Sequence, residues 1–67
     1  MTIKVFIERY SETKVIDKDV KNISELLKEL NVNPETVVTA RNNELVTLDA
    51  KLKDGDEVRI LSVISGG

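Results

Sequence analysis

Sixty-seven residues are enough for one small domain and too few for a second core able to offset its own ordering entropy. With neither cysteine nor histidine, the chain can form no disulfide, thiolate nucleophile, thiolate metal site or His-based catalytic constellation, so it must fold on packing alone. Ten basic and twelve acidic side chains are interspersed to a net charge of -2, which argues against direct phosphate contact with nucleic acid, and no apolar run approaches the length of a membrane span.

Along the chain, Ile3, Val5 and Ile7 alternate with Thr2, Lys4 and Glu8 at the period of a half-buried strand, with Phe6 as the large apolar residue on the other face. After the polar turn Arg9-Tyr10-Ser11-Glu12, residues Thr13 to Asp17 read as a shorter antiparallel partner. Asn22-Ile23-Ser24-Glu25 has the form of a capping box. Asn22 can accept from the Glu25 N–H while Glu25 reaches back to the cap. The helix it starts carries Ile23, Leu26, Leu27 and Leu30 on one stripe and Glu25, Lys28 and Glu29 towards water. It stops after about two turns, where Asn31 suits a left-handed C-terminal residue and Pro34 forbids continuation.

Thr36 to Arg41 is rich in β-branched residues, and Asn42-Asn43 tolerates the positive φ of a tight turn before Glu44 to Thr47, giving a second hairpin. Leu48 and Leu52 flank an irregular crossing and are expected in the core. Asp54-Gly55-Asp56 signals a turn before a last strand from Glu57 to about Ser65. This turn lacks the further oxygen ligands of a calcium loop, and Asp17-Lys18-Asp19 reads as a plain loop. The order β-β-α-β-β-β predicts an α+β domain of the β-grasp type over residues 1–65: a mixed sheet of five or four strands with one helix on one face. In it the last strand lies parallel to the first, between two hairpins. Ile3, Val5, Ile7, Val58 and Ile60 then face the helix, while Arg59, Leu61 and Val63 face outward.

No Gly-rich loop precedes the helix and no carboxylate pair is set up for acid–base work, so the chain is expected to catalyse nothing itself. What stands out is residues 65–67. Gly66 and Gly67, preceded by Ser65, form a flexible tail without Cβ atoms at its end, able to thread a narrow channel and present a carboxylate from any side. The competing reading is ordinary fraying of a terminus. Beside this tail, Leu61 and Val63 form an exposed apolar docking surface, with Arg59 as its charged rim and Phe6 on the same side.

The helix segment Ile23-Ser24-Glu25-Leu26-Leu27-Lys28-Glu29-Leu30, the following Asn33-Pro34-Glu35-Thr36-Val37-Val38, the turn Asp54-Gly55-Asp56-Glu57-Val58 and the end Leu61-Ser62-Val63-Ile64-Ser65-Gly66-Gly67 together resemble the ubiquitin-like sulfur-carrier family over essentially the whole chain. Within it the sequence is most similar to carriers for tRNA 2-thiouridine synthesis and to archaeal modifier relatives, with thiamine-pathway carriers close behind. It departs from the Phe-Pro-Pro-Val type segment of molybdopterin synthase small subunits, having Leu61-Ser62-Val63-Ile64 instead. The resemblance implies a carrier whose Gly67 carboxylate is adenylated by a ubiquitin-activating-type adenylyltransferase. That partner uses ATP and magnesium, and the chain itself binds no cofactor. A persulfide fed by a cysteine desulfurase or rhodanese then leaves a thiocarboxylate, which passes to an acceptor sulfurtransferase or a thiazole synthase. The same activated end attacked by a lysine would make the chain a protein modifier. With Met1-Thr2-Ile3-Lys4 leading straight into a strand pattern and no long apolar run, the expected location is the cytoplasm, and composition leads us to expect no metal, membrane or nucleic acid bound directly.

Overall fold

The computed structural model describes residues 1–63. The strands are β1 (Ile3–Ile7), β2 (Glu12–Ile16), β3 (Val37–Arg41), β4 (Glu44–Val46) and β5 (Glu57–Ser62), with one helix, α1 (Ile23–Glu29), between β2 and β3. They form one five-stranded sheet in the order β2-β1-β5-β3-β4, in which β1 and β5 run parallel and every other pair is antiparallel. This is the expected arrangement of two hairpins flanking a parallel central pair.

Alternation along each strand decides what α1 covers. Ile3, Val5, Ile7, Val58 and Ile60 are buried together with Ile23, Leu26 and Leu27 of the helix, and these eight supply most of the core. Each fully buried aliphatic side chain contributes roughly 1.5–3 kcal/mol relative to exposure, so this layer replaces the missing disulfide. Asn22 Oδ1 accepts from the Glu25 N–H at 2.9 Å, as the capping box requires. Glu25 Oε1, however, accepts from the Lys21 N–H at 3.0 Å and not from the cap itself. At the other end Asn31 has φ 62, its N–H reaches the Lys28 carbonyl, and the Val32 N–H reaches Leu27. That pair of bonds is a Schellman motif. It satisfies the last carbonyls and leaves the half-buried Val32 against the core.

Boundaries moved where turn geometry overrode pattern. The first hairpin turns through a 3-10 turn, Glu8–Tyr10, and Ser11 at φ 48, so Ile7 pairs with Glu12 and β2 runs one residue earlier than expected. Thr36 belongs to a 3-10 turn begun by Pro34 and is not in β3. The second hairpin is a two-residue turn with Asn42 at φ 51 and Asn43 at φ 70, the primed geometry that matches strand twist. Leu48 is 41% exposed and lies outside the core. The backbone there is committed elsewhere, since the Leu48 carbonyl accepts from the Ser24 N–H at the start of α1. Leu52 is buried as expected, and so is Val20, which the loop reading of residues 17–19 left unassigned.

Candidate functional site

β5 carries the chain towards residue 67, so its two ends locate the site. At its start, Gly55 takes φ 86, which closes the turn and lets the Gly55 N–H donate to the Thr2 carbonyl at 2.8 Å. Asp54 Oδ1 accepts from the Thr2 N–H at 2.7 Å. The nearly buried Asp56 carboxylate accepts from the Lys53 N–H at 2.8 Å and from Asn42 Nδ2 at 3.2 Å, while Asn42 Oδ1 takes the Glu57 N–H at 3.0 Å. Asp54 and Asp56 are thus engaged in pinning β1, β5 and the β3–β4 turn together. Among the described residues no group of three or more metal-ligating side chains is present.

The sheet face away from α1 is unlike this. Register places Phe6 of β1 beside Arg59 of β5, Arg59 beside Ala40 of β3, and Ala40 beside Leu45 of β4, in one row across the sheet. One row on, Leu61 faces Val38. The Arg59 guanidinium carbon lies 5.1 Å from the centre of the Phe6 ring, a cation–π stacking worth about 0.5–1 kcal/mol at an exposed site. Lys4 and Glu57 face each other at 4.0 Å on the same surface, an exposed pair of little energetic weight. Leu45 is 67% and Val63 55% exposed.

Arg59, Leu61 and Phe6 therefore share one face, as expected, with two corrections. Leu61 is only half-buried and not fully exposed, because Val38 stands opposite. Arg59 stands in the middle of the row, stacked on Phe6, and is not a rim residue. β5 ends at Ser62, earlier than expected; Val63 lies beyond it, where its N–H still donates to the Thr36 carbonyl at 3.1 Å. Ser65, Gly66 and Gly67, the residues on which sulfur attachment and the tail were placed, lie outside the described residues. Sequence reasoning missed Val38, Ala40 and Leu45. The signal for Leu45 was its place between Glu44 and Val46 in a short alternating strand; Val37-Val38 alternates nothing, so parity was hidden there.

A mixed sheet in this order, with one helix on one face, a bare and partly apolar second face, and β5 leading to a Gly-Gly segment, defines a β-grasp protein of the ubiquitin-like class. The ThiS family model matches residues 3–67, and the chain belongs to that family. It is 43% identical over 60 residues to the sulfur carrier protein TtuB of Thermus thermophilus, covering 88% of this chain and 92% of that one. It is 35% identical over the full length of both chains to an uncharacterized protein of Archaeoglobus fulgidus. Among solved structures, the thiamine biosynthesis protein ThiS of Geobacter metallireducens superposes with a TM-score of 0.72 at 30% identity, with all of both chains covered. A chain of the complex of subunits 1 and 2 of the molybdopterin-converting factor of Helicobacter pylori matches at a TM-score of 0.73 and 25% identity, again with both chains fully covered. SAMP1 of Haloferax volcanii shares the fold at 0.76, with 19% identity over all of both chains. No helix among the described residues is long and apolar enough to cross a membrane.

Proposed function

We propose that this chain is a sulfur carrier whose Gly67 carboxylate is activated by a partner enzyme, converted to a thiocarboxylate and used as a sulfur donor in tRNA 2-thiouridine synthesis. The observation that carries this reading is the 43% identity to a protein named as a sulfur carrier, together with a family match that runs through residue 67. The chemistry follows from what a carboxylate needs. A carboxylate resists nucleophiles, so one oxygen must first become part of a leaving group. Attack of the Gly67 carboxylate on the α-phosphate of ATP, with loss of pyrophosphate, gives an acyl adenylate. A persulfide sulfur displaces AMP, and a thiol then cleaves the S–S bond and leaves C(=O)S⁻ on Gly67. The carrier's part is to present its end. Gly66 and Gly67 fit that part by having no side chains to obstruct a narrow active site. Ser65 links them to the domain.

ATP and magnesium belong to the adenylyltransferase, and a cysteine desulfurase or rhodanese supplies the persulfide; the cytoplasm, where ATP is at hand, is the setting. Leu61 and Val63, with Arg59 and Phe6, form the docking surface in this reading, supported by the position of Phe6, Arg59 and Leu61 on one sheet face and by the exposure of Val63 just beyond β5. A second reading, sulfur delivery to a thiazole synthase, is favoured by the 30% identity across the whole of the thiamine biosynthesis protein. Incubation with the activating enzyme, ATP, magnesium and a sulfur donor is expected to raise the intact mass by the difference between sulfur and oxygen. A competent enzyme that leaves the mass unchanged contradicts the carrier role. Loaded protein presented to a tRNA thiouridine synthase and to a thiazole synthase separates the two acceptors. Isopeptide-linked Gly-Gly remnants on lysines of other proteins would reveal use as a modifier.

A further inference from the structure

On the helix side of the sheet, at the carboxyl ends of the parallel strands β1 and β5, a groove of about 530 Å³ opens to solvent. Its floor is apolar, made by Ile7, Ile60 and Val37. One wall is the turn after β1, where the Arg9 guanidinium lies 5.8 Å from the Tyr10 ring centre. The opposite wall is the segment after α1, held by Asn33, whose Oδ1 accepts from the Glu35 N–H at 3.0 Å. Among the described residues, Arg9 is the sole charged one that lines the groove, and no carboxylate side chain does. The volume lies in the range of specific binding clefts.

Position gives the groove its meaning. Ser62 lines it, so four residues (63 to 66) separate it from Gly67, which stands five residues on. Fully extended, five residues reach about 17 Å. An enzyme holding the Gly67 carboxylate in its active site therefore stands within about 17 Å of the groove, which itself lies on the sheet face opposite Phe6 and Arg59. We infer that the groove is a second contact for the activating enzyme, and that it takes an extended segment of that enzyme bearing a carboxylate for Arg9 and an apolar side chain for the floor of Ile7, Val37 and Ile60. With Tyr10 beside it, the Arg9 carboxylate pair is shielded on one side, and the partner grips β5 from both faces just before the tail. This inference rests on the carrier reading and adds the chemistry of the partner to it.

The test uses the full chain and its cognate activating enzyme without ATP, with binding measured by calorimetry. Arg9→Glu is expected to weaken binding by about tenfold or more, as reversal of a paired interfacial charge does. Lys28→Glu, the same change in net charge on the exposed face of α1, is expected to leave it nearly unchanged. A photo-crosslinking benzoylphenylalanine in place of Tyr10 is expected to capture an acidic segment of the enzyme. Equal binding by Arg9→Glu and wild type, equal losses in both charge reversals, or a crosslink to a segment without carboxylates would each overturn the inference. A wild-type chain that a competent enzyme neither binds nor loads would overturn the carrier reading itself.

Discussion

The two ends of β5 are built on opposite principles. At Glu57 the strand begins in a set of hydrogen bonds in which Asp54, Asp56 and Asn42 tie the start of β1 and the β3–β4 turn to it. At Ser62 it ends with the Val63 N–H bonded to the Thr36 carbonyl, flanked by a half-apolar sheet face on one side and an open groove on the other. At the first end the bonds come from the side chains of Asp54, Asp56 and Asn42; at the second, the bond to Val63 joins two backbone groups. The lesson is a division of labour along one strand: one end is fixed by polar contacts so that the other can be given to partners.

The widest test of that division lies between the ends. Ile60→Ala removes a side chain 2% exposed from the strand common to both and is expected to cost about 2–5 kcal/mol in denaturant unfolding. A cost below that range would mean that β5 is not the shared spine. At the fixed end, Asp56→Ala leaves the Lys53 N–H and Asn42 Nδ2 without their acceptor, and a loss of about 1–3 kcal/mol in unfolding free energy is expected. At the open end Val63→Asp should change stability by no more than about 0.5 kcal/mol while slowing loading by the activating enzyme. A stability loss as large as that of Asp56→Ala would erase the contrast.

The smallest effect is a titration. Thr47 Oγ donates to Asp49 and holds its carboxyl below the ordinary range, with a backbone N–H helping. A depressed folded-state value means that the contribution is present above the unfolded value and lost as pH falls through the folded one. Thr47→Val should move the Asp49 titration, followed by carboxyl carbon NMR, upward towards the ordinary range. No movement would show that the hydroxyl is not the cause.

Much of this was legible in the chain. Period-two alternation in Ile3-Lys4-Val5-Phe6-Ile7 and the stripe Ile23, Leu26, Leu27 announce the core because each has one face only, and Asn22, Asn31 and Asn42-Asn43 announce caps and turns because their side chains or positive φ values suit few other structures. What stayed hidden depends on partners distant in sequence. Leu48 looks like a core residue until the Ser24 N–H claims its carbonyl, and Arg59 looks like a rim residue until register sets it against Phe6. Asp54-Gly55-Asp56 reads as a turn, but that Asp56 would be nearly buried against Asn42 follows only from the sheet order. The groove beside Arg9 was invisible for the same reason, being assembled from three separate segments.

The role proposed for Gly67 requires an end separable from the fold, and deletion of Gly67 probes this when unfolding and sulfur loading are measured on the same protein. An unchanged unfolding midpoint and no thiocarboxylate are expected. Loading that persists would show that Gly67 is not the attachment point, and a midpoint that falls would show that the tail belongs to the fold.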